Sequence, residues 1–230
     1  MIIGVAGKAG AGKDLFCEIA VEEFDAVHHA FADAVKEEVG EFLTKNGIFF
    51  EPRNLWGTQA DKEEVLVIPR LTEEHLADKD LIMMFVLAIR TNHYKNRPVS
   101  YFGYRPPIAR PKNYLTFRAL LQWWGTEFRR AEDPDYWVKR CMAKCDDPHQ
   151  LYVISDVRFE NEAKGIIYSG GELIKVIRPH GINISGMGHA SETSLDNWEE
   201  WDFILTNDGT KEEYEELCRR CLKEILDGNI

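Results

Sequence analysis

Residues Gly7, Lys8, Ala9, Gly10, Ala11, Gly12, Lys13 and Asp14 run consecutively and bring three glycines, two lysines and a carboxylate together. Glycines let a backbone turn tightly around an anion. N–H groups at the start of a following helix point into that turn, and a lysine neutralises the outer phosphates of a nucleotide. Gly7, Gly12 and Lys13 fit this phosphate cradle, so residues 7–15, ending at Leu15, are expected to bind ATP. Asp14 stands where such a loop usually carries the Ser or Thr whose hydroxyl reaches magnesium. A carboxylate beside a triphosphate repels it unless a cation lies between them, so Asp14 is expected to hold Mg2+ directly or through water. The competing reading is that Asp14 only complements the helix dipole, as an acidic residue does in any first turn.

Further along, residues 113–131 show helical spacing, with Phe117, Leu120, Leu121, Trp124 and Phe128 on one apolar face. Beside it, Arg118, Gln122, Gly125 and Arg129 fall on one narrow line, and Trp123, Glu127 and Arg130 line the other flank. Such a flank could read a base and grip its phosphate; the alternative for each arginine is a surface salt bridge. Trp137 reads as core or as a stacking platform. Asp156 closes the apolar run 151–155 and is placed to reach metal or substrate. Glu162, four residues after Arg158, could hold that guanidinium by an i,i+4 pair. Asp33 with Lys36 follows the run 26–32, at the edge where open parallel sheets bind ligands. His28 and His29 in that run read as packed or solvated strand residues. His189, Ala190, Ser191 and Glu192 sit in a glycine-punctuated connection that suits either a segment over the site or an ordinary loop capped at Ser191.

The elements that must position these residues are strands at 1–6, 26–32, 151–155, 172–177 and 202–205, with helices between them. This order predicts an α/β P-loop three-layer sandwich around a five-stranded parallel sheet, with right-handed crossovers. The alternation lapses over residues 37–112. They are expected to form a substrate-binding or lid subdomain inserted within a single domain of residues 1–230. Residues 81–89 are its most apolar run. Residues 91–113 lack acidic side chains and carry Lys95, Arg97, Arg105, Arg110 and Lys112 among Tyr94, Tyr101, Phe102 and Tyr104. That stretch suits an anion-facing lid, a nucleic-acid contact or a solvated loop.

The net charge of −11 over 230 residues argues against a nonspecific nucleic-acid coat and makes any local basic cluster informative. No apolar run approaches a membrane span and the chain opens on a strand without a charged leader, so a cytoplasmic protein without a membrane partner is expected. Five cysteines do not suggest a disulfide framework. Cys141 with Cys145, and Cys218 with Cys221, have metal-like spacing that also equals a helical turn, and the helix reading is preferred for the second pair.

Taken together, these motifs resemble the bacteriophage deoxynucleoside monophosphate kinase family, a branch of the P-loop nucleoside monophosphate kinases. The likeness rests on residues 7–14, Phe31-Ala32-Asp33 with Lys36, Leu121-Gln122 before Gly125-Thr126-Glu127 and Arg130, Trp137, Asp156-Val157-Arg158-Phe159 with Asn161-Glu162, and His189 to Glu192. It implies transfer of the ATP γ-phosphoryl group to a deoxynucleoside 5′-monophosphate with Mg2+, in the host cytoplasm, by an enzyme that could be a homodimer. Lys13 and Asp14 would serve the donor phosphates and metal. Arg130, Trp137, Asp156, Arg158 and Glu162 would fall where the acceptor binds, and Lys13, Asp14, Arg130 and Arg158 would carry the chemistry. Leu15 departs from the Thr common after that Asp. Phosphomevalonate kinases of the animal type share a large apolar residue there and are the nearest rival; a nucleotide-gated DNA-binding module is the rival from another class.

Overall fold

The structure, a computed structural model, describes residues 1–66, 116–179 and 194–228. The apolar run 81–89, the basic aromatic stretch 91–113 and residues 189–192 lie outside the described residues. In chain order the elements begin β1 (Ile2–Ala6), α1 (Lys13–Phe24), β2 (Val27–His29), α2 (Phe31–Lys45), α3 (Pro52–Trp56) and α4 (Gln59–Lys62). They continue α5 (Phe117–Trp123), a π-helical turn (Trp124–Phe128), α6 (Arg129–Glu132), α7 (Tyr136–Met142), β3 (Tyr152–Val157), α8 (Glu160–Tyr168), β4 (Glu172–Ile177), β5 (Phe203–Thr206) and α9 (Lys211–Asp227). The chain divides into two compact units, Met1–Ala34 with Pro134–Ile230, and Val35–Asp133.

In the first unit the five strands form one sheet in the order β2-β3-β1-β4-β5, every pairing parallel. Parallel strands need crossovers, and the helices that supply them cover both faces. Ile3 and Val5 point to the side where Phe16 of α1 and Tyr214, Cys218 and Leu222 of α9 pack. Ile2 and Ala6 point to the other, with Val138 and Cys141 of α7 and Ala163 and Ile166 of α8. The result is the three-layer α/β sandwich expected from the strand and helix pattern. One boundary differs. The apolar run 26–32 is strand only through His29, and Phe31 already begins the 15-residue helix α2. Asp33 therefore lies in the first turn of a helix rather than at the end of a strand.

The second unit is helical where described. α5 starts at Thr116, whose hydroxyl accepts the Ala119 N–H at 3.2 Å, and Thr116 also makes an antiparallel bridge to Val65. Trp124 is fully buried, tilted against Phe42 with ring centroids 4.7 Å apart and edge-on to Phe128 at 5.1 Å. The expected single helix is interrupted by the π turn at Trp124–Phe128, which adds one residue to its winding. Arg118, Gln122 and Arg129 consequently do not share a line, because the winding changes between Gln122 and Arg129.

Cys218 and Cys221 lie on the buried face of α9, and burial pushes their thiols up to about 11 and about 12. Burial raises Cys17 and Cys141 further, while Cys145 is only partly covered. Thiolate is the reactive form. Iodoacetamide at neutral pH should therefore modify Cys145 well ahead of the other four thiols in the native protein, and all five after unfolding, as read by mass spectrometry. Rapid native labelling of Cys17 or Cys221 would contradict this packing. Among the described residues no helix is long and apolar enough to cross a membrane.

Candidate active site

The loop leaving β1 turns through left-handed backbone at three glycines, Gly7 (φ 152°), Gly10 (φ 73°) and Gly12 (φ 116°), before α1 begins at Lys13. Two of them are also closely approached. A Cβ on Gly7 would lie 2.5 Å from the Val176 carbonyl oxygen of β4; one on Gly12 would lie 2.7 Å from Asn207 Nδ2 and 2.8 Å from the Tyr214 ring. Only glycine meets both demands, of dihedral and of space. The loop closes on itself through the Ala11 N–H to the Lys8 carbonyl at 3.1 Å, and Lys13 Nζ donates to the same carbonyl at 3.0 Å. The ammonium is thus folded over the crown of the loop. Lys8, Ala9 and Gly10 are exposed there, as is the Asp14 carboxylate in the first turn of α1.

Behind the loop stand residues that the sequence reading passed over. Asn207, just after β5, is buried and donates from Nδ2 to the Ala11 carbonyl at 2.8 Å; the Tyr214 hydroxyl of α9 donates to the Gly12 carbonyl at 3.2 Å. Arg178, at the end of β4, reaches the Gly10 carbonyl at 3.5 Å. The Asn-Asp-Gly that follows the last strand is an ordinary turn signal, so nothing in the sequence marked Asn207 as the loop's support. Leu15 is half-buried and packs its side chain against the core, which leaves its backbone N–H as the group it can offer a phosphate. Gly12→Ala should distort this wall, since both the dihedral and the contacts with Asn207 and Tyr214 become unfavourable. A loss of about 1–3 kcal/mol in unfolding free energy is expected, read by urea titration. An unchanged midpoint would mean that the loop relaxes freely.

β1 and β3 are neighbours whose helices leave on opposite faces, which places the loop at the sheet's switch point, the usual ligand crevice of open parallel sheets. At the carboxyl end of β3, Asp156 accepts the Phe31 N–H at 2.6 Å and the Ala32 N–H at 2.9 Å, one on each oxygen. Ala30 has no side-chain oxygen to cap α2, so Asp156 supplies the cap from another strand. Burial pushes its carboxyl above the usual range, against the pull of those two donors and of Arg158. Arg158 is exposed just beyond. Glu162 is buried, and its Oε2 accepts the backbone N–H of Arg158 at 2.8 Å and of Phe159 at 3.0 Å. It therefore fixes the backbone of the 158–159 turn at the start of α8.

Of the two readings of Trp137, the structure favours core. It is 1% exposed and edge-on to Tyr136, because the spacing of Trp137, Val138 and Cys141 makes them the inward face of α7. It packs with the core there. His28 and His29 have structural partners: His28 Nε2 lies 2.8 Å from Ser155 Oγ, and His29 stacks on Tyr152. In the second unit, Arg118 pairs with Glu63, Gln122 and Glu127 are exposed, and Lys36 and Arg130 are half-exposed.

A parallel sheet in this order, with a glycine-hinged loop and lysine between its first strand and helix, defines a P-loop NTPase-like core. The chain belongs to the deoxynucleotide monophosphate kinase family, whose sequence model matches residues 1–217. It is a nucleotide kinase, using ATP on a small nucleotide. A putative deoxynucleotide monophosphate kinase of Acanthamoeba polyphaga mimivirus is 27% identical over 234 residues, covering 100% of both chains. A solved dephospho-CoA kinase from Campylobacter jejuni aligns with 100% of this chain and 98% of its own at 16% identity, with a TM-score of 0.47.

Proposed function

We propose that the chain transfers the γ-phosphoryl group of ATP to the 5′-phosphate of a deoxynucleoside monophosphate, giving the diphosphate and ADP. An acceptor phosphate oxygen forms the new bond to the γ-phosphorus as the bond from that phosphorus to the bridging oxygen of ADP breaks. The observation that carries this reading is the crown of residues 7–14, hinged at three glycines, with Lys13 Nζ lying on a backbone carbonyl it can exchange for phosphate oxygens. The loop N–H groups and Lys13 would take the ATP phosphates. Asp14, exposed at the helix start, fits a ligand of Mg2+, which when bound supplies charge neutralisation on the phosphates.

Arg130 and Arg158 would bind the acceptor phosphate, for which planar guanidinium forks are suited. Asp33, Lys36, Gln122 and Glu127 are the remaining polar candidates for sugar and base, with residues 37–112 as the inserted acceptor-binding part. Asp156 and Glu162 would act by holding the start of α2 and the 158–159 turn. The setting is the cytoplasm, where ATP and Mg2+ are pooled, and the homodimer implied by the family likeness is checked by light scattering.

The test is ADP release from Mg-ATP with a panel of deoxynucleoside and ribonucleoside monophosphates and phosphomevalonate. Turnover with at least one deoxynucleoside monophosphate is expected, and none with phosphomevalonate. The reverse pattern would overturn the acceptor assignment.

A further inference from the structure

Glu38 is a buried carboxylate, 7% exposed, on α2, the helix that also carries Asp33 and Lys36. Its Oε1 accepts the Trp124 Nε1–H at 2.9 Å and also the Nε–H of Arg129. Trp124 is the first residue of the π turn and Arg129 the first residue after it. One carboxylate oxygen therefore fastens the two ends of that turn together. The guanidinium of Arg129 lies over the Phe128 ring at 4.5 Å and the Trp124 ring at 5.5 Å. π turns are rare and occur mostly as single turns inserted in α-helices, so one persists where side chains stabilise it over the regular helix. A buried carboxylate is tolerated with donors of this kind and costly without them.

The extra residue turns everything beyond it back by roughly 100° relative to an unbroken α-helix. Arg129 then takes the azimuth that residue 128 would have had, one turn below Trp124, which is why it reaches Glu38. Arg130 takes the azimuth otherwise held by residue 129, and so falls on the helix line of Arg118 and Gln122.

We propose that Glu38 is a positioning residue for the acceptor's 5′-phosphate: by fastening both ends of the π turn it keeps Arg130 on the line of Arg118 and Gln122. The inference rests on the reading of Arg130 as an acceptor-phosphate ligand. Without the fastening the segment relaxes toward regular α-helix, and Arg130 swings off that line.

Steady-state kinetics with the best deoxynucleoside monophosphate, on wild type, Glu38→Gln, Arg130→Met and the double variant, test it. Glu38→Gln should raise the acceptor KM about tenfold or more while the ATP KM stays within twofold. In the Arg130→Met background it should raise the acceptor KM no further, because the residue it positions is gone. Glu38→Asp, which keeps the charge but is shorter, should show an intermediate KM, and serves in place of Glu38→Gln should that variant not fold. Equal rises in both KM values, an additive effect in the double variant, or no effect of either Glu38 variant would overturn the proposal. An unchanged acceptor KM in Arg130→Met would overturn the Arg130 reading and this inference with it. Absence of turnover by wild type with every monophosphate would instead overturn the acceptor assignment made under the proposed function.

Discussion

Lys13→Ala is expected to lower kcat by about 10³-fold while leaving the unfolding midpoint close to that of the wild type. The two halves of that expectation come from different observations. Lys13 opens α1 and is half-exposed, and its ammonium rests on the carbonyl of Lys8, five residues back in the same loop. Removing it takes nothing from the sheet or from the clusters of Phe16, Cys17 and Ile19 that hold α1 down. The loop keeps its shape through three left-handed glycines, Asn207 and Tyr214. What is lost is a positive charge placed before the reaction begins, and such a charge is worth most where negative charge is spread over the transferring phosphoryl group. Circular dichroism and initial rates on one preparation test both halves. Full turnover in the folded variant would remove the basis for a role of Lys13 in phosphoryl transfer.

Asp14→Asn is expected to weaken the dependence of ATP binding on magnesium and to reduce turnover, by about 10²-fold. The carboxylate stands exposed next to Lys13, at a helix start that otherwise favours anions. Without a cation it opposes the phosphates that the loop attracts; with Mg2+ between them the same charge becomes a ligand. Wild-type affinity for ATP should therefore fall steeply on chelation. The amide removes the repulsion but ligates the metal poorly, so the variant should bind ATP with and without Mg2+ much more equally. Calorimetric titration of both proteins, with magnesium and with chelator, separates binding from chemistry. The same magnesium dependence in both would return Asp14 to the role of a residue favoured only by the helix dipole.

The phosphate loop and the sheet around it were legible in the amino-acid order because both are local. Glycines at 7, 10 and 12, a lysine at 13, an apolar run before them and helical spacing after them are dictated by dihedral preference and burial over a few residues. Strands 1–6 and 172–177 announced themselves as apolar runs, since a parallel strand buries both faces. What escaped was what depends on groups far apart in the chain. The start of α2 was hidden in an apolar run because its cap, Asp156, comes from β3 rather than from the preceding residue. Asn207 and Tyr214 come from just after β5 and from α9, and only the fold sets them behind the loop. Trp137 reads as core or as a stacking platform, and it is buried on the inward face of α7. The clearest case is the helix after Thr116. Periodicity assumes a constant 3.6 residues per turn, and a single extra residue, sustained by Glu38 from another helix, moves every later side chain to a different line. Local preference thus determined that this chain carries a P-loop on a parallel sheet, whereas the line on which Arg130 falls was decided by a buried carboxylate eighty-six residues before the tryptophan it holds.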